Sequence, residues 1–259
     1  METYVLHRGT APLLVSLPHD GTFVPAAIKE RLTPSARRVP DTDWHVARLY
    51  AFARDLGASV IVPTHSRYVV DLNRPPDDAS LYPGRNTTGL CPIVQFSGEP
   101  VYRPGVEPRP AEIAMRVDRY WRPYHDALAA ELARLREAHG RVVLWEGHSI
   151  RAEVPFLFEG RLPDFNLGTA NGASCAPDLQ ERLAAVLAAH PDRTHVVNGR
   201  FKGGYITRHH GRPEQGIDAV QLELAQCNYM DETTFEYLPE RAVATQAVIR
   251  QLLEACLAR

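Results

Sequence analysis

The chain reads as an α/β fold with a mostly parallel or mixed central sheet. Three observations point there. Residues 12–17 (Pro-Leu-Leu-Val-Ser-Leu), 58–63 (Ala-Ser-Val-Ile-Val-Pro) and 142–145 (Val-Val-Leu-Trp) are short, nearly continuous apolar runs, the composition of strands buried on both faces of a sheet. Stretches with a 3.6-residue apolar period separate them, and such alternation favours parallel crossovers. The first and third runs break off into His19 and Asp20, and into Glu146 and His148. Ligands of open α/β sheets sit beyond the carboxyl ends of the strands.

After the first strand, residues 24–38 are rich in proline and charge, with a short helical piece at 26–32. A helix is expected over 44–56, with Val46, Leu49, Tyr50, Ala53 and Leu56 on one stripe and Gly57 as its stop. Asp41 or Asp43 is its expected N-cap, leaving the other free for chemistry. Residues 66–72 (Ser-Arg-Tyr-Val-Val-Asp-Leu) are strand-like and end at Asn73-Arg74-Pro75-Pro76. Residues 77–110 show little periodicity; a loop of that length is more often a lid or binding loop than filler. Arg85, Asn86 and Thr88 lie in it.

The longest helical pattern covers 111–139, and Pro123 either kinks it or starts a new helix. Residues 151–174 are irregular, 177–189 form an amphipathic helix and 194–198 a short strand. The stretch 199–206, with Arg200, Lys202 and two adjacent glycines, reads as a turn. Residues 219–224 (Ala-Val-Gln-Leu-Glu-Leu) alternate in polarity, which places Gln221 and Glu223 on one strand face. A helix over 238–257 closes the chain. With no internal repeat or linker, residues 1–259 are expected to form one domain.

Hydrophobic residues make up 44% and charged residues 23%, ordinary for a globular protein. A formal net charge of -2 gives no footprint for nucleic acid. No apolar run reaches the roughly 18 residues of a membrane span, and the N-terminus lacks the pattern of a secretory signal. Cys91, Cys175, Cys227 and Cys256 are scattered, without a C-x-x-C pair. A cytoplasmic protein with free thiols is therefore expected. Oligomeric state is left open.

The chemistry-bearing residues gather at strand ends. His19 and His148 follow core-type strands, where neutral imidazoles often hold Zn²⁺. Glu146 and His148 share a side if the extended backbone persists. A glutamate inside a core-type strand, Glu223, needs a cation, a metal or a hydrogen-bond network to offset its burial; a functional and a structural role are both open. Arg74, fixed before two prolines, suits bidentate recognition of a carboxylate. Without an H-E-x-x-H helix or a G-x-S-x-G elbow, the residues favour metal-assisted hydrolysis of a small anionic amide or ester.

Six segments, in order, carry a family resemblance: Pro18-His19-Asp20-Gly21, Asp41-Thr42-Asp43-Trp44, Ser66-Arg67-Tyr68 through Asp71-Leu72-Asn73-Arg74, Glu146-Gly147-His148-Ser149, Phe201-Lys202-Gly203-Gly204-Tyr205 and Gln221-Leu222-Glu223-Leu224. Together they span roughly residues 12–231, and the chain resembles the N-formylglutamate amidohydrolases, the deformylases of histidine degradation. The resemblance implies hydrolysis of N-formyl-L-glutamate to L-glutamate and formate. It also implies a three-layer αβα sandwich similar to the zinc carboxypeptidases, within the phosphorylase/hydrolase-like folds. Those relatives bind zinc through a His-x-x-Glu pair and a distant His, but Thr22 stands here in the Glu position. The resemblance thus leads to His19, His148 and Asp43 as ligands of a divalent metal, zinc foremost, with Asp41 and Glu146 as alternatives to Asp43. Glu223 resembles the general base. Arg74 and Asn73, with Arg151, Lys202 or Arg208, would hold the substrate carboxylates. Two other readings stand beside this one: a hydrolase of another N-acyl amino acid or a peptidoglycan-type amide, and a non-catalytic binder of acidic metabolites.

Overall fold

Alternate residues of the core strands part to opposite sides of one sheet. The computed structural model describes residues 2–81, 84 and 86–258; Arg85 of the long loop lies outside them. The strands are β1 (Tyr4–His7), β2 (Leu13–Ser16), β3 (Ser59–Pro63), β4 (Val142–Ile150), β5 (Phe165–Gly168), β6 (His195–Val197) and β7 (Ile217–Ala225). The α-helices are α1 (Ala26–Lys29), α2 (Val46–Leu49), α3 (Pro110–Arg116), α4 (Arg122–His139), α5 (Pro177–Ala188), α6 (Tyr205–His210) and α7 (Pro239–Leu257). Among the described residues the strand order is β1-β3-β2-β4-β7-β5-β6. The central pairs β3–β2, β2–β4 and β4–β7 are parallel, while β1 and β5 join antiparallel. The sheet is mixed with a parallel centre.

Leu13, Val15, Trp145 and Leu222 pack with Leu49, Leu183 and Leu252 of α2, α5 and α7. Leu14, Ile61, Leu144 and Ala219 pack on the other face with Leu128, Leu132 and Ile206 of α4 and α6. Two apolar clusters, one per face, make the three-layer sandwich. On this second face Glu146 and His148 of β4 stand beside Gln221 and Glu223 of β7, paired in register. Strand β4 therefore runs past its apolar start and carries the polar residues extended. Gly147 permits this, because a Cβ there would lie 2.7 Å from Leu17 Cδ2.

Several expectations need correction. Residues 66–72 form turns, with Ser66 C=O accepting from Val69 N–H and Asp71 C=O from Arg74 N–H. Their apolar side chains fill the second cluster without a sheet partner. The helix expected over 44–56 is only α2 followed by a 3₁₀ turn at Ala51–Arg54. Neither Asp41 nor Asp43 caps it; Asp20 Oδ1 accepts the Ala47 N–H at 2.9 Å. Before Pro123 a π-helical turn, Val117–Trp121, separates α3 from α4, which accommodates the missing proline N–H. Strands β1 and β5 and helix α6 escaped the sequence reading because they are short, with four, four and six residues.

Candidate metal centre and substrate cleft

The parallel strands end at a common edge, and the loops after β2 and β3 bring their polar residues to it. His19 follows β2, and Asp43 lies in the turn before α2. Their donor atoms meet His148 of β4: His19 Nδ1 lies 3.2 Å from His148 Nδ1, Asp43 Oδ2 2.9 Å from His148 Nδ1 and 3.7 Å from His19 Nδ1. All three residues are buried. A tetrahedral ion with ligands at about 2.0–2.1 Å has ligand–ligand edges of about 3.3 Å. The triangle has that size, and among the described residues it is the group of His, Cys, Asp or Glu able to hold a metal.

The far nitrogens of both imidazoles are held by carboxylates. His19 Nε2 is 2.7 Å from Asp71 Oδ1, and His148 Nε2 is 2.6 Å from Glu146 Oε1. Carboxylates so placed fix the ring and tautomer of a metal-ligating histidine. Asp71 is itself set by Arg67 at 2.7 Å. Glu146 accepts the Thr207 N–H and, through a short bond, its hydroxyl. Helix α6, absent from the sequence reading, thus anchors the Glu146 carboxylate behind the donor triangle. Gly204 just before it must be glycine, since a Cβ would fall 2.2 Å from Asn73 Nδ2.

Charge is balanced within this cluster. Burial alone would raise the Asp43 carboxyl, but His19 and His148 hold it well below the usual range. Burial likewise opposes ionisation of Asp71, outweighed by His19 and Arg67. Glu223 is different. Burial raises its carboxyl well above the ordinary range, only partly offset by His148, with Asp43 adding to the rise. Two carboxylates whose environments push them apart suit different roles.

Asp41 stands outside the triangle, accepting from the Tyr68 hydroxyl at 2.7 Å and the Phe96 N–H at 2.9 Å. Glu146 meets the wrong nitrogen of His148 to share an ion with His19. Of the three candidate acids, Asp43 joins the triangle.

A cleft of about 640 Å³, open mouth included, lies over this centre; His19, Asp43, His148 and Glu223 face it together with Asn73 and Arg74. Asn73 Nδ2 is 3.2 Å from His148 Nε2, and its Oδ1 accepts the Ile206 N–H. Arg74 Nε donates to Thr88 C=O at 2.8 Å. Arg151, Lys202 and Arg208 do not line the cleft among the described residues. Arg151 borders a neighbouring groove, Arg208 Nε donates to Gly203 C=O, and the Lys202 C=O accepts from Ala170 N–H.

Two arginines were missed as cleft residues. Arg67 lies on its wall, 4.8 Å over the Phe96 ring, with NH1 3.7 Å from Asp43 Oδ1. Its four-residue spacing from Asp71 was the available signal, since i,i+4 partners meet in turns and helices and not along a strand. Arg200 also lines the cleft and donates to Leu157 C=O at 3.0 Å and Asn86 C=O at 3.3 Å, stitching two long loops together.

Comparison with known proteins identifies the family of the chain. The family model described as N-formylglutamate amidohydrolase matches residues 11–230. An N-formylglutamate deformylase of Pseudomonas putida is 54% identical over 97% of this chain and 94% of its own. The N-formylglutamate deformylase of Pseudomonas aeruginosa is 55% identical over 99% of this chain and 97% of its own. The crystal structure of an N-formylglutamate amidohydrolase from Ralstonia eutropha JMP134 superimposes with a TM-score of 0.83 at 27% identity, covering 99% of this chain and 96% of that one. An Agrobacterium tumefaciens gene product shares the fold, with a TM-score of 0.74 at 18% identity over 99% and 95% of the two chains. The match runs nearly end to end at both levels, and the chain belongs to the N-formylglutamate amidohydrolase family.

Proposed function

We propose that the protein hydrolyses N-formyl-L-glutamate to L-glutamate and formate, using a divalent metal held by His19 Nδ1, His148 Nδ1 and Asp43 Oδ2. The observation that carries this reading is the buried donor triangle with an independently placed carboxyl, Glu223, facing the same cleft. Two imidazoles and one carboxylate are a donor set of zinc hydrolases, so zinc is the proposed ion. When bound, such an ion supplies Lewis acidity toward the formyl carbonyl and toward a water.

The remaining work falls to the chain. Glu223, with its raised proton affinity, takes the proton of the attacking water and returns it to the departing amine nitrogen. Arg67, buried beside Asp43, presents a cation to the charge that develops on the formyl oxygen. The formyl group offers one carbon, so binding energy must come from the glutamate part. Arg74 and Arg200 on the cleft wall are the cations for its two carboxylates. The free state of all four cysteines fits the proposed cytoplasmic setting, and the reaction fits the end of a histidine degradation route.

The test is formate release from N-formyl-L-glutamate and acetate release from N-acetyl-L-glutamate, before and after chelation and zinc add-back. The expected outcome is turnover of the formyl compound alone, abolished by chelator and restored by zinc. Metal-loaded protein that releases no formate overturns the assignment, and equal use of the acetyl compound moves it to a broader amidohydrolase.

A further inference from the structure

Asp43 joins the donor triangle from a turn that its own backbone disfavours. Val39 and His45, on either side of it, have φ of 45° and 63°. That is the left-handed region, which a Cβ opposes and a β-branched residue such as Val39 opposes most. Inside the turn, Asp43 N–H donates to His19 C=O at 3.0 Å and Thr42 N–H to Val39 C=O at 3.1 Å. The carbonyls on either side of Asp43 are held from the far end of the chain. Gln226 Nε2 donates to Thr42 C=O at 3.1 Å, and the Tyr229 hydroxyl donates to Trp44 C=O at 2.8 Å. Both donors follow β7, the strand of Glu223, and both are buried. Gln226 Nε2 and the Tyr229 hydroxyl also lie 3.3 and 2.7 Å from Ser149 Oγ. The Ser149 N–H in turn donates to Asp43 Oδ2 at 3.1 Å, the same oxygen that meets His148 Nδ1.

We propose that Gln226 and Tyr229 are positioning residues for the metal: they clamp the turn on both sides of Asp43 and so aim Oδ2 at the two imidazoles. The inference rests on the metal reading of the donor triangle. A carbonyl only accepts, so each strut depends on one N–H or O–H group that a near-isosteric substitution removes. A turn already held in place loses less freedom when an ion arrives, so the clamp acts on affinity for the metal. It also sets the Asp43 turn on the same segment that continues from Glu223, which ties a metal ligand to the proposed base. The ring of Tyr229 packs in the first apolar cluster, so ring and hydroxyl have separable roles.

The experiment measures the zinc dissociation constant of the full-length protein by competition with a chelator, with urea unfolding in parallel. Gln226→Met and Tyr229→Phe should each weaken zinc binding by about tenfold. Tyr229→Phe keeps the ring and removes one oxygen, so it remains readable if the Gln226 variant misfolds. In an Asp43→Ala background the same substitutions should change the constant by less than about twofold, because the strut then has no ligand to aim. Thr245→Val is the control: it removes another buried hydroxyl, which donates to Asn228 C=O at 2.9 Å on the same segment. It should lower stability and leave zinc affinity unchanged. Parental affinity in both strut variants, equal losses with and without Asp43, or an equal loss in the control overturns the clamp while the metal reading stands. Zinc affinity untouched by Asp43→Ala itself refutes the metal reading, and the clamp with it.

Discussion

Two pairs of histidines, buried except for the half-buried His210, sit on the same side of this sheet in opposite surroundings. His19 and His148 are ringed by Asp43, Asp71 and Glu146. His125 of α4 and His210 of α6 stack among aromatic rings: His125 lies 3.7 Å from Trp121 and 6.2 Å from His210, centroid to centroid. Burial opposes charge in both. At His148 the carboxylates of Glu146 and Asp43 outweigh it and raise the proton affinity; at His125 nothing does, and burial pushes the imidazole down to about 3. His210 falls to about 4 for the same reason, with His209 adding to it. Buried histidine alone therefore marks nothing. Carboxylates on both nitrogens separate a candidate metal ligand from a packing residue.

The comparison can be broken most sharply at the carboxyl that lacks such compensation. Glu223→Gln should lower kcat by about 10²–10⁴-fold with zinc content unchanged; near-normal turnover would remove Glu223 from the proton path. Next in size is a carboxylate behind a ligand. Asp71→Asn should weaken zinc binding by about 10–100-fold, measured by competition with a chelating dye. Unchanged affinity would show that the carboxylate ring around His19 is only structural.

At the rim the expected effect is smaller. Arg74→Ala should raise KM about tenfold or more with kcat little changed, as loss of uniform binding does; an unaltered KM would take Arg74 off the substrate. The apolar pair gives the smallest effect. The folded His125 titrates near 3 and the unfolded one near 6.5, so the unfolded state binds more protons between those values. Its contribution is lost as pH falls below about 6.5, at about 1.4 kcal/mol per pH unit. Urea unfolding at pH 7 and pH 5.5 should show His125→Phe losing less stability than the parent. An identical pH slope would mean that His125 does not titrate on unfolding.

Much of the fold was legible because the longer core strands and helices write their burial into local periodicity. β3, α5 and α7 match the expected spans closely. β5 and α6 did not show, since four and six residues carry too little period to read. Residues 66–72 misled for a different reason: their apolar content is real and buried, but it packs from turns. Among the cations, Arg74 was legible from its stiff proline context, while Arg67 and Arg200 were hidden in segments read as strand and turn.

Sequence by itself set His19 and His148 just beyond apolar core runs and Glu223 inside a core strand of an α/β sheet, because residue type and strand period are local properties. It could not choose among Asp41, Asp43 and Glu146. The tertiary structure made that choice: the loop path brings Asp43 Oδ2 within 2.9 Å of His148 Nδ1, while Glu146 is drawn to Nε2 of the same ring. Spacing along a chain fixes the face on which a carboxylate stands. Which nitrogen it reaches depends on loops and side-chain directions set by packing between residues more than a hundred positions apart.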